Sequence, residues 1–207
     1  MMVVTSSRLC KDNFFDRIEK ISRGGPEGII LREKEMNQEE YKITARRCAE
    51  ICHKYKVPLI INHQVEIARE LEIKRIHLSY GELIEYVEPK EEFSCMGVSV
   101  HSVEEAVKAA ESGADYLVAG HIFETDCKKD LEPRGPGFLK NVCEHVKIPV
   151  YAIGGIRRDR LEQIYECNAA GVCVMSELML CQEPDKVVAD YEKEWKKIHE
   201  LKEEIQI

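Results

Sequence analysis

The stretch ADYLVAGHIFETDCKKDLEPR, residues 114–134, decides the fold. Tyr116, Leu117, Val118 and Ala119 form a short apolar run with no polar alternation, so a strand here needs cover on both faces, as in a parallel sheet flanked by helices. Gly120 follows, and the loop after it concentrates polar chemistry: His121, Thr125, Asp126, Cys127, Lys128 and Lys129. A titratable loop at the C-terminal end of a buried strand is where barrels of alternating strands and helices carry their active sites.

The same unit recurs on either side. Buried strands are expected at 1–5, 28–31, 58–62, 75–79, 95–100, 116–119, 148–153 and 171–175. Helical periodicity is expected at 12–23, 38–55, 65–71, 82–87, 103–112, 137–146, 158–167 and 184–203. Asn37 is placed to cap its helix, with Glu39 and Glu40 in the first turn, and Ser102 with Glu105 has capping-box spacing. Strand and helix thus alternate eight times with no linker, which makes residues 1–207 a single α/β domain. Eight units in one chain favour a closed (β/α)8 TIM barrel, with an open doubly wound sheet as the alternative.

Composition narrows the function. A net charge of −8 with no basic stripe argues against a nucleic-acid partner. No apolar run reaches the ~20 residues of a membrane span, and the N-terminus has no signal-peptide pattern. Nine cysteines, an odd number without regular spacing, read as reduced thiols of a cytoplasmic protein. Cys48, Cys52 and His53 cluster in sequence but share a helical pattern with Tyr41, Ala45 and Ala49, so structural thiols are expected there.

Candidate site residues fall at strand ends: Arg32, Lys34, Asn62, Ser79, Ser99, His121, Gly155 and Ser176. Gly154-Gly155 after the seventh strand and Met175-Ser176 after the eighth fit the phosphate seat of this fold, where glycine lets backbone N–H groups approach an anion. His121 is the candidate acid/base, since an imidazole exchanges a proton near neutral pH. Lys128 reads as a partner for an anionic substrate and Asp126 as its counter-charge.

These landmarks resemble the thiamine phosphate synthase and TenI superfamily over nearly the whole chain. They are LREK at 31–34, LIIN at 59–62, IHL at 76–78, GVSVHSVEEA at 97–106, AIGGI at 152–156 and GVCVMS at 171–176. The resemblance implies a (β/α)8 barrel, often dimeric, that binds phosphorylated thiamine precursors. Synthases of the superfamily carry Gln where this chain has Ile30, and a magnesium-binding Asp where it has His63. Their second such Asp gives way here to Glu82, and their Thr-x-Thr-Lys loop to Thr125-Asp126-Cys127-Lys128. GHIFETDCKK instead resembles the loop of the TenI thiazole tautomerase, in which the histidine shuttles the proton.

That resemblance implies an isomerase acting on a carboxythiazole phosphate with His121 as its catalytic group and no cofactor. Arg32, Lys34, Asn62, Ser99, Thr125, Asp126, Cys127, Lys128, Gly155, Met175 and Ser176 would bind the substrate. The alternatives are a synthase that joins hydroxymethylpyrimidine pyrophosphate to thiazole phosphate with Mg²⁺, or a non-catalytic regulator that binds a thiamine precursor.

Overall fold

Short apolar runs bounded by turn residues become the strands of the computed structural model, which describes residues 1–85, 92–128 and 131–205. They are β1 (Met2–Val4), β2 (Gly28–Leu31), β3 (Leu59–Asn62), β4 (Arg75–Ser79), β5 (Cys95–Val100), β6 (Tyr116–Gly120), β7 (Val150–Ile153) and β8 (Gly171–Val174). They follow one another in chain order around a closed barrel, the (β/α)8 architecture. Pairing is parallel: Val3 lies opposite Ile29, Ile30 opposite Ile60, Asn62 opposite His77, Val98 opposite Leu117, and Ala119 opposite Ala152. Parallel neighbours need a crossover, which helices supply.

Those helices are α1 (Phe14–Arg23), α2 (Gln38–Lys54), α3 (Val65–Glu70), α4 (Tyr80–Glu85), α5 (Val103–Glu111), α6 (Gly135–His145), α7 (Leu161–Tyr165), α8 (Ser176–Leu180) and α9 (Pro184–Ile205). None of the described helices is long and apolar enough to cross a membrane. The structure departs from the sequence pattern in two elements. The expected helix at 158–167 is a 3-10 turn, Arg158–Arg160, followed by α7. Asn168 then takes the left-handed conformation (φ 60°) that commonly ends a helix. Helix α8 was not expected, because five residues are too few for a 3.6-residue period to register. The end of the expected helix at 82–87 lies outside the described residues.

Contacts divide the chain into two compact units, the first including Met1–Leu78 and Val174–Ala189, the second Gly97–Cys173 and Asp190–Ile207. In the first unit, α1 and α2 pack through Ile18, Ile21, Ala45, Cys48 and Cys52, all fully or nearly fully buried. Each such aliphatic side chain stabilises the fold by roughly 1.5–3 kcal/mol. Cys48 and Cys52 belong to this core, whereas His53 is exposed. Asn13 accepts hydrogen bonds from the Phe15 and Asp16 amides to start α1, and Asn37 with Glu40 closes a full capping box on α2. Arg17 of α1 is buried. Its guanidinium donates to both carboxylate oxygens of Asp12 (2.7 and 2.8 Å) and to the carbonyls of Leu178 (2.7 Å) and Cys181 (2.9 Å), holding α8 in place.

The second unit is shaped by two aromatic rings. Tyr116 of β6 and Tyr151 of β7 meet edge to face with centroids 5.8 Å apart. The Tyr116 ring fills the space that a Cβ at Gly97 would need, and the Tyr151 ring lies against Gly171. On the outside, Tyr165, Trp195 and His199 stack α7 on α9. Ser102 caps α5 by accepting from the Glu105 amide, but the Glu105 carboxylate takes the His101 amide instead of closing the box.

Candidate active site

In the first unit, the ends of β2 and β3 make a pocket of about 240 Å³. LREK at the end of β2 supplies Arg32, Glu33 and Lys34, and the end of β3 supplies Asn62, His63 and Gln64. Tyr41 ties the two strand ends together from α2: its hydroxyl donates to the Leu31 carbonyl at 2.6 Å and accepts from the Asn62 amide at 3.3 Å. Burial raises the Tyr41 pKa, so this hydroxyl keeps its proton. Glu33 is 7% exposed, and both its oxygens are engaged. Oε1 accepts from Thr5 Oγ1 at 2.6 Å, while Oε2 accepts from the amide and the hydroxyl of Ser7 at 2.8 and 2.6 Å. Thr5 Oγ1 in turn accepts from the Arg32 amide at 3.0 Å. Glu33 therefore fixes the backbone on either side of which the two cations stand.

The turn after β3 is tight. The Gln64 amide reaches the Asn62 carbonyl at 2.8 Å and the Val65 amide the His63 carbonyl at 2.9 Å. His63 holds φ 66°, a left-handed conformation in which His, Asn and Asp are enriched. Asn62 is 5% exposed. Among the described residues, its Nδ2 is the one buried side-chain donor with no partner. A buried donor left without a partner costs about 1–3 kcal/mol.

His77 of β4 lies behind this turn and accepts the His63 amide on its carbonyl at 3.0 Å. Burial first, and His63 second, push its pKa down to about 3. The folded state therefore keeps the ring neutral while the unfolded chain protonates near 6.5. The unfolded state binds the extra proton between these values, so stability present above about pH 6.5 is lost as pH falls toward 3. The expected slope from this group is roughly 1.4 kcal/mol per pH unit. Urea unfolding at steps between about pH 6.5 and 5 measures it, and His77→Gln should flatten it; equal slopes in both chains would contradict the assignment.

In the second unit, β6 and β7 end close together. The Ile122 and Phe123 amides donate to the carbonyls of Ile153 (2.9 Å) and Gly154 (3.0 Å). Gly154 (φ 96°) and Gly155 (φ 63°) are left-handed, and a Cβ on either would run into His121 or into Phe123 and Glu124. His121 is 4% exposed, and its Nε2 lies 3.2 Å from the Leu131 carbonyl. Arg160 donates to the Gly155 carbonyl at 2.6 Å and stacks its guanidinium 4.6 Å from the centre of the Phe123 ring. Thr125 Oγ1 accepts from the Cys127 amide at 3.4 Å, and Asp126 and Cys127 are exposed in the 3-10 turn Asp126–Lys128. The Lys128 side chain lies outside the described part of the structure.

The remaining candidates sit at their own strand ends. Ser99 is half-buried near the end of β5, Ser79 Oγ donates to Glu82 at 2.8 Å, and Met175 and Ser176 join β8 to α8. Sequence reasoning missed Glu33, Tyr41, Gln64 and Arg160. Glu33 was inside the quoted LREK motif. Tyr41 and Arg160 carried no local signal, because their partners are carbonyls of other segments.

The fold is that of a (β/α)8 barrel with a polar pocket at the C-terminal ends of β2 and β3, an arrangement shared by many enzymes. Within that class, residues 1–178 match the family model TMP-TENI, described as thiamine monophosphate synthase, and the chain belongs to this family. It is 34% identical to a thiamine-phosphate synthase of Clostridium acetobutylicum over 185 residues, 88% of each chain. It is 32% identical to that of Clostridium botulinum over 202 residues, 96% of this chain and 95% of the relative. A solved structure of thiamine phosphate pyrophosphorylase from Pyrococcus furiosus superposes with a TM-score of 0.81 at 27% identity, covering 95% of this chain and 96% of the other.

These relatives correct the expectation of an isomerase. Similar proteins across nearly the full chain are named synthases, which are transferases, and not thiazole tautomerases. The expectation had rested on one ten-residue loop against the rest of the chain. With that reaction withdrawn, His121 has no proton to shuttle in it. What the structure gives this ring is a contact with the Leu131 carbonyl across its own loop.

The family's synthases imply Mg²⁺, which takes hard oxygen ligands in near-octahedral geometry. The donor set of the first-unit pocket does not fit that ion. Its one carboxylate, Glu33, is engaged by Thr5 and Ser7, the position after Asn62 is an imidazole, and its unsatisfied atom is a donor.

Proposed function

We propose that this protein is a transferase of the thiamine-phosphate synthase kind, joining a hydroxymethylpyrimidine diphosphate to a thiazole phosphate. The observation that carries the reading is similarity of 30–35% identity to proteins so named over most of the chain. The first-unit pocket suits the chemistry. In the reaction, the bond from the pyrimidine's methylene carbon to the diphosphate oxygen breaks, and the electron pair leaves with pyrophosphate. The thiazole nitrogen supplies the pair for the new C–N bond.

Charge accumulates on the leaving oxygens, so groups that stabilise it there lower the barrier. Arg32 offers a planar fork of donors to phosphate oxygens, and Lys34 a compact charge. The buried Asn62 amide offers a neutral donor in a low-dielectric setting. The Tyr41 and Glu33 contacts hold these groups in position before substrate arrives. In the second unit, the Gly154-Gly155 turn with Arg160 beside it is the seat we assign to the thiazole phosphate. Incubating the purified chain with both substrates and following thiamine phosphate by mass spectrometry tests the reading. Product is expected only when both substrates are present; its absence across pH and with or without Mg²⁺ would overturn the assignment.

A further inference from the structure

The pocket at the ends of β2 and β3 holds an unspent donor, two cations, and an imidazole where a metal-binding carboxylate would be expected. We infer that this pocket takes the diphosphate directly on Arg32, Lys34 and the Asn62 amide, with His63 in place of the carboxylate, and without a bridging divalent cation. The inference rests on the transferase reading for the identity of the anion, and it goes beyond that reading in how the charge is met.

Three features point the same way. First, Asn62 Nδ2 is buried and unpartnered among the described residues. Asn62 also lines the pocket, so a turn of its amide would present an N–H group, which a phosphate oxygen can use and a cation cannot. Second, the carboxylate that lines the pocket is already occupied. Both oxygens of Glu33 accept short bonds from Thr5 and Ser7, and turning either toward a metal would strand buried hydroxyl and amide donors. Third, the residue following Asn62 is His63, held by its amide on the His77 carbonyl and by the tight turn. Imidazole is a ligand for softer ions than magnesium, but its N–H group can donate to phosphate oxygen. Arg32 and Lys34 line the same pocket, and both are cationic side chains that an anion can use.

Titration calorimetry of the full chain with inorganic pyrophosphate tests this without relying on turnover. In EDTA, pyrophosphate should bind. Adding excess Mg²⁺ should leave the affinity unchanged within about twofold or lower it, since the ion competes for the same oxygens. Asp accepts the left-handed conformation that His63 adopts, and His63→Asp should reverse the pattern, with affinity at least tenfold higher in Mg²⁺ than in EDTA. Failure of the natural chain to bind pyrophosphate in EDTA, or a tenfold gain on adding Mg²⁺, would overturn the inference. So would a His63→Asp chain indifferent to Mg²⁺. The coupling assay separates the two levels of the account. Metal-free pyrophosphate binding without thiamine phosphate formation keeps this inference and removes the transferase reading. Coupling that stops in EDTA keeps the transferase reading and overturns this one.

Discussion

Replacing Arg17 by methionine is expected to lower the free energy of unfolding by about 2–4 kcal/mol, set by the two carbonyl acceptors it leaves without a partner. Arg17 is 3% exposed. The substitution strands the Leu178 and Cys181 carbonyls, which accept from Nη1 at 2.7 and 2.9 Å, and each stranded buried acceptor costs about 1–3 kcal/mol. Asp12 suffers less, because its side chain is 39% exposed and water can take over its charge. Asp12→Asn should therefore cost clearly less than Arg17→Met. Methionine keeps most of the apolar stem, so the loss is polar and not a packing defect. Urea unfolding at neutral pH measures both chains, and a loss under about 1 kcal/mol for Arg17→Met would contradict the role given to this network.

Asn62→Leu should move stability and activity in opposite directions. Leucine is close in size and removes a buried donor that has no partner in the free protein, so the melting temperature should hold or rise. The same change removes a hydrogen bond to a charged leaving group. That loss is worth about 1.5–3 kcal/mol, or about 10- to 150-fold in kcat/KM for the diphosphate substrate. A polar group retained at a cost to the fold is expected where the group serves binding. A chain that melts lower and keeps full kcat/KM would show that Asn62 is a structural residue after all.

Much of the barrel was legible in the sequence. The runs GIIL, LIIN and CMGVSV are bounded by turn residues, and buried parallel strands read as continuous apolar segments; β2, β4 and β5 begin and end where the pattern put them. Asn37 and Ser102 announced the starts of α2 and α5 because capping is a local interaction of three residues. Boundaries blurred where tertiary contacts decide them. The Arg158–Arg160 turn and α8 are set by neighbours, such as Arg17 reaching the Leu178 carbonyl from 161 positions away.

The candidate site was legible in its residue types more than in their roles. Arg32, Lys34 and Asn62 meet in one pocket as strand-end placement implied. What organises them is Tyr41 on a helix and Glu33 facing Thr5 and Ser7, and no spacing rule reveals such pairs. His121 was singled out by position alone, after a strand and a glycine, and its ring nitrogen lies 3.2 Å from the Leu131 carbonyl. The loop motif named a reaction that whole-chain similarity then displaced.

The most direct test of the transferase account is the stoichiometry of a single assay. With hydroxymethylpyrimidine diphosphate and thiazole phosphate both supplied, the account predicts one pyrophosphate released for each thiamine phosphate formed, and neither product when one substrate is withheld. Pyrophosphate released at the same rate without thiazole phosphate, or no thiamine phosphate under any condition that leaves the protein folded, would contradict it.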